Sequence, residues 1–180
     1  LNAGEDYLYS AVVDSSAGYA YFGTWTYPGI IAKISIAEGA VPVRIGTAAG
    51  QTLTVNGNLT IGNGTDAVSM TSAAFNPVMD IAGDVTINLN ASLIASDTAA
   101  FSVGGNWTNS GTFNANGGTV LFNGAGLQQI TSNANSFNNL SIGTAADTVQ
   151  LIDALDVNGA FHLITGGFDA NGNNQNYAGN

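Results

Sequence analysis

From residue 53 onward, apolar side chains recur at alternate positions. Leu53 and Val55, then Leu59 and Ile61, are interleaved with Thr54, Asn58 and Thr60. Period two is the mark of a strand with one face in a core. The form apolar-x-apolar-x-Gly-x-apolar returns in MDIAGDVTI (79–87), FSVGGNWTN (101–109) and LDVNGAFHL (155–163). Its central glycines, Gly57, Gly83, Gly105 and Gly159, fall at inward parity, where a missing side chain permits a bend or a close backbone approach. They are separated by 26, 22 and 54 residues, the last read as about two units. A second echo, SGTFNANG (110–117) against TGGFDANG (165–172), is offset by 55 residues. Recurrence on this scale predicts a solenoid, in which each repeat buries its apolar face against the next.

The first forty residues have a different character. Five of the six tyrosines lie here, with Phe22 and Trp25. The segment parses into strands YLYSAVVD (7–14), YAYFGTWT (19–26) and IIAKISIA (30–37), joined by SSAG and YPG. Turn residues between short apolar strands predict an antiparallel meander. Three strands alone are marginal in water, so this sheet needs a cover. The expected division is an aromatic meander over 1–42 and a repeat core over 43–180.

SAVVDSSAGYAYFGTWTYPGIIAKISI resembles a repeat of bacterial surface and secreted proteins in which one unit makes one blade of a β-propeller. GNWTNSGTFNANGGTVLFNGAGLQQITSNANSFNNLSIG is similar to the strand-rich repeats of very large bacterial surface proteins, and this resemblance covers roughly residues 45–180. It implies a right-handed parallel β-helix and brings no catalytic residues. The fold expected is therefore all-β: a right-handed parallel β-helix-like solenoid after an antiparallel meander. A jelly-roll-like sandwich is the alternative, since it uses a similar number of strands.

Composition narrows the partners. Charged residues are only 8%, and Asn, Ser and Thr take the place of surface Lys and Glu, which suits extracellular β-structure. Twelve acidic groups stand against Lys33 and Arg44, a net charge of −10. Nucleic-acid binding is excluded by that sign, and an anionic membrane surface is disfavoured. No apolar run reaches the length of a membrane-spanning helix. Cysteine is absent, so disulfides and thiolate metal sites are too.

No constellation for catalysis emerges, and the expectation is a protein that is not an enzyme. His162, the only histidine, shares parity with Asp156 and Asn158 and reads as an exposed strand residue rather than a general base. Asp153 and Asp156 are the pair that glycoside hydrolysis would need. The expected cofactor set is empty, with one calcium candidate. DANGNN (169–174) starts like an oxygen-ligand loop through Asp169, Asn171 and Asn173, but lacks Gly at the sixth place. Asn-x-Ser/Thr sequons occur at Asn58, Asn63, Asn90, Asn106 and Asn139, which is near the chance number; Asn58 and Asn106 share one outward slot of the repeat. Trp107 takes an inward position matching Leu59, Val85 and Phe161, and reads as core.

The ends shape the functional expectation. NGNNQNYAGN (171–180) stops inside a repeat, and the aromatic meander lacks the neighbours that such a unit usually has. Two unsatisfied ends predict head-to-tail contact between copies, which does not close and gives filaments. The candidate joining residues are Tyr7, Tyr9, Val12, Tyr19, Tyr21, Phe22, Trp25 and Tyr27. The expectation is an extracellular, cell-surface structural subunit whose partners are copies of itself. The alternative is a glycan-binding or adhesin-stalk module that holds surface polysaccharide.

Overall fold

A computed structural model describes residues 8–14, 19–24, 31–35 and 43–179, with side chains described for 43–143 and 148–179. Among them every regular element is a strand. The chain divides into two units, Leu1–Val41 and Pro42–Asn180.

In the first unit Leu8–Asp14, Tyr19–Thr24 and Ile31–Ser35 form an antiparallel sheet in that order. Tyr21 is the register partner of both Val12 and Lys33. The expected meander is thus present in the backbone. Tyr7, Trp25 and Tyr27 lie outside the described residues.

The second unit is a parallel β-solenoid of about five turns. Its cross-section has three faces. The first stacks Thr52–Val55, Val78–Ile81, Ala100–Val103 and Thr119–Phe122, then the opening halves of Asn139–Leu151 and Phe161–Asp169. The second stacks Leu59–Ile61, Val85–Ile87, Trp107–Asn109 and Gln128–Thr131, then the closing halves of the same two long strands. The third holds Val43–Arg44, Val68–Thr71, Ala91–Ile94 and Thr112–Asn114, and higher up Leu155–Val157 paired with Gln175–Tyr177. All these pairings are parallel, which rules out the jelly-roll alternative.

Alternation explains the core. Leu53, Met79, Phe101, Val120, Leu140 and Phe161 are successive register partners on the first face. Their inward side chains meet those of the other faces. Trp107 sits at the centre with 1% exposure. Its ring meets Phe101 at 5.7 Å, Phe113 at 4.7 Å and Phe137 at 5.4 Å, all at steep angles. Edge-to-face contacts of this kind add to the area term. Trp107 is therefore core, as its parity predicts.

Two sequence expectations need correction. The glycines do not lie within continuous strands at inward parity. Each nine-residue repeat is two short strands with a corner between them, and Gly57, Gly83 and Gly105 are at that corner, with Gly57 exposed. Stacking makes some of these glycines necessary. A Cβ on Gly83 would lie 2.8 Å from the Gly57 carbonyl carbon, whereas one on Gly57 would meet nothing within 4 Å.

The fourth copy is also displaced by one face. In the first three copies the motif spans the corner from the first face to the second. In LDVNGAFHL, Leu155–Val157 lies on the third face, and Phe161 pairs with Leu140 on the first. Phe161 is accordingly no partner of the Trp107 column. The second echo shifts likewise, since Phe113 pairs with Leu93 and Phe168 with Val149. The 54-residue interval is thus not a whole number of turns. The first-to-second and third-to-first corners both accept this local pattern, so one sequence unit serves at either.

Candidate functional site

The corners carry most of the polar chemistry. At the corner between the first and second faces, the side-chain oxygen of Asn58 accepts the backbone N–H of Asp84 at 2.9 Å. A carboxylate oxygen of Asp84 accepts the N–H of Asn106 at 2.7 Å. The carboxamide oxygen of Asn106 then accepts the N–H of Gln129 at 2.8 Å. One slot on successive turns thus satisfies the amide that the corner would leave unpaired. Buried Gln128 serves where the corner lengthens to residues 123–127. Its amide donates to the carbonyls of Val103 and Gly105 at 3.0 and 2.6 Å, and its oxygen accepts from Gly124 at 3.1 Å. Among the described residues no buried side-chain polar atom lacks a partner.

Asparagine also sets the corner backbone. Asn76, Asn90, Asn116, Asn133 and Asn171 have positive φ, which asparagine tolerates better than most residues. The Asn-rich composition thus reflects two needs of the coil, left-handed corners and inter-turn hydrogen bonds.

The sequence candidates fall as follows. Asn58 is exposed and Asn106 half-buried, both in the ladder just described. Asn63 closes a turn with Asp66, and Asn90 donates to the Thr65 carbonyl. Asn139 accepts from the Ala160 N–H at 2.9 Å and donates to the Gly117 carbonyl. Asp153 accepts the N–H groups of Ser132 and Asn133 at 2.7 and 2.6 Å, while Asp156 accepts from the Asn176 amide at 2.6 Å. These two carboxylates are thus bonded to different neighbours. His162 is exposed, in register with Ser141.

Asp169, Asn171 and Asn173 share the last described corner. Asp169 accepts from the Gln150 amide at 2.9 Å and from the Asn171 N–H at 2.8 Å. These hydrogen bonds, the Gln150 one first, hold its carboxyl below the ordinary value, against a small opposing effect of burial. The amides of Asn171 and Asn173 both donate to the Leu151 carbonyl, each at 3.2 Å. Among the described residues no three His, Cys, Asp or Glu side chains gather as a metal site.

The surface of the coil carries two further features. One is a groove of about 260 Å³ along the corner between the third and first faces, lined by Asn114, Asn116, Asn138 and Asn158 among others. The other is the coil's cross-section at its last described turns. There Phe161 packs on Phe168 at 5.1 Å and on Tyr177 at 4.8 Å, and all three are only half-buried. Leu163 and Ile164 beside them are 50% and 66% exposed. Partial burial pushes the Tyr177 hydroxyl above its ordinary pKa. An unsatisfied end is among the sequence expectations, but the groove and the residues that frame the end are not, because both depend on which residues stack across turns.

No protein-family model, no curated protein and no solved structure matches this chain.

Proposed function

We propose that the protein is a non-enzymatic structural element of an extracellular surface or filament, extended by strand addition along the coil axis. The observation that carries this reading is the contrast between the middle of the solenoid and its end turns. Leu140, Ile142 and Leu151 are fully buried, whereas Phe161, Phe168 and Tyr177 one turn on are half-covered. Among the described residues the strands Phe161–Asp169 and Gln175–Tyr177 make the last edge, a row of strand backbone framing half-covered apolar side chains. Addition of a strand to such an edge satisfies both. A heterologous joint of this kind propagates instead of closing.

Two further features support the reading. Many polar groups at the corners bond to neighbouring turns, which suits a scaffold. The surface is rich in Thr, Ser and Asn with little charge, which suits an extracellular setting. The test is sedimentation velocity across a concentration series. Growth into long species, abolished by Leu163→Lys with Ile164→Lys, is expected; a monomer at every concentration would sink the proposal.

A second reading, a glycan-binding module of a surface stalk, is favoured by one observation: the neutral asparagine-lined groove.

A further inference from the structure

We infer that this groove is a subsite for a neutral oligosaccharide. The inference rests on the second reading and gives it a location within the second unit. The groove crosses three turns. Asn114 and Asn116 lie on one, Ser136 and Asn138 on the next, and Asn158 on the third, where Val157 bridges to Phe137. Strand spacing of about 4.8 Å makes that row about 10 Å long, comparable with a disaccharide. Its volume of about 260 Å³ lies just under the roughly 300–1,000 Å³ of drug-sized pockets, which suits a short stretch of sugar.

The hydrogen-bond inventory specifies the ligand class. The Asn138 amide donates to the Gly117 carbonyl at 2.7 Å, the Asn116 amide to the Ala95 carbonyl at 3.2 Å, and the Asn158 amide to the Ser136 hydroxyl at 3.0 Å. The Asn114 oxygen accepts the Asn116 N–H at 2.9 Å. Each carboxamide is therefore pinned through one of its two ends. The oxygens of Asn116, Asn138 and Asn158 and the amide nitrogen of Asn114 carry no other hydrogen bond among the described residues. An inter-turn ladder needs only one half of each carboxamide, and four of the halves left over belong to side chains that line this one groove. Three acceptors and one donor match a row of hydroxyls, each of which can both give and take a hydrogen bond. Pinning also lowers the ordering cost of binding.

Charge sets the remaining preference. No ionisable side chain lines the groove, and Asp97 lies beside Gly117 at its margin. An anionic sugar meets a carboxylate there and no cation, so neutral saccharides are selected.

The test is side-chain amide NMR of the full chain, titrated separately with cellohexaose, maltohexaose and chitohexaose, with hexagalacturonate as the anionic comparison. Saturable shifts at Asn114, Asn116, Asn138 and Asn158 with at least one neutral hexamer, and none with hexagalacturonate, are expected. Asn158→Ala, an exposed position, should weaken that binding at least threefold while leaving the unfolding midpoint in place. Saturable shifts elsewhere on the chain would overturn this site but leave the glycan reading standing. No saturable shift with any of the three neutral hexamers would overturn both.

Discussion

A carboxylate oxygen of Asp84 accepts the backbone N–H of Asn106 at 2.7 Å, one turn along the coil. Asn58 does the same for Asp84, and Asn106 for Gln129. What the slot requires is an oxygen acceptor at the right height, not a charge. Asp84→Asn should therefore be mild, because the amide oxygen can still accept. Asp84→Ala strands the Asn106 N–H and should cost about 1–3 kcal/mol. Urea denaturation of the two variants side by side measures the difference; equal losses would refute the acceptor account.

The core is centred on Trp107, which touches aromatic rings from the first and third faces. Trp107→Ala should cost about 3–5 kcal/mol, with Trp107→Phe well below that. Equilibrium unfolding reads both. A loss under 1 kcal/mol for the alanine variant would mean that Trp107 is not a core residue.

Gly57 and Gly83 occupy equivalent corners one turn apart, yet they differ in what stands over them. A methyl at Gly83 meets the Asn58 side chain and the Gly57 carbonyl carbon, the latter at 2.8 Å. A methyl at Gly57 meets open space. Gly83→Ala should lower the thermal midpoint by several degrees. Gly57→Ala should leave it unchanged or raise it, since alanine restricts the unfolded chain. Calorimetry on the pair checks the sign of each.

The pH dependence has a definite direction. The folded state holds the Asp169 carboxyl below its ordinary value, chiefly through the Gln150 amide. A depressed carboxyl pKa stabilises the fold above the unfolded value and loses that contribution as pH falls through the folded pKa. Because Asp169 is fully exposed, screening keeps the effect small. Gln150→Ala should move the Asp169 titration upward toward the ordinary carboxylate range, as read by carbon-detected NMR. An unmoved titration would assign the shift to the Asn171 backbone instead.

Much of the coil was legible in the sequence. Period two at Leu53–Val55 and Leu59–Ile61 marked the strands, and the 22- and 26-residue returns marked the turns. Trp107 could be assigned to the core from parity alone, since alternation is local and strict. Face assignment could not be read this way. LDVNGAFHL has the same local form as LTVNGNLTI, and only the pairings of Leu155 with Gln175 and Phe161 with Leu140 show that it turns a different corner. The groove was hidden for the same reason: Asn116, Asn138 and Asn158 are far apart in sequence, and strand register alone brings them together. Gln128 gave no signal either, because its role depends on the lengthened corner above Val103.

Electron microscopy of the native material tests the structural proposal most directly. About five turns spaced about 4.8 Å apart span about 24 Å. The account predicts regular filaments with an axial subunit repeat no shorter than that, and a 4.8 Å layer line from strands running across the axis. Separate compact particles at every concentration, with no axial periodicity, would contradict it.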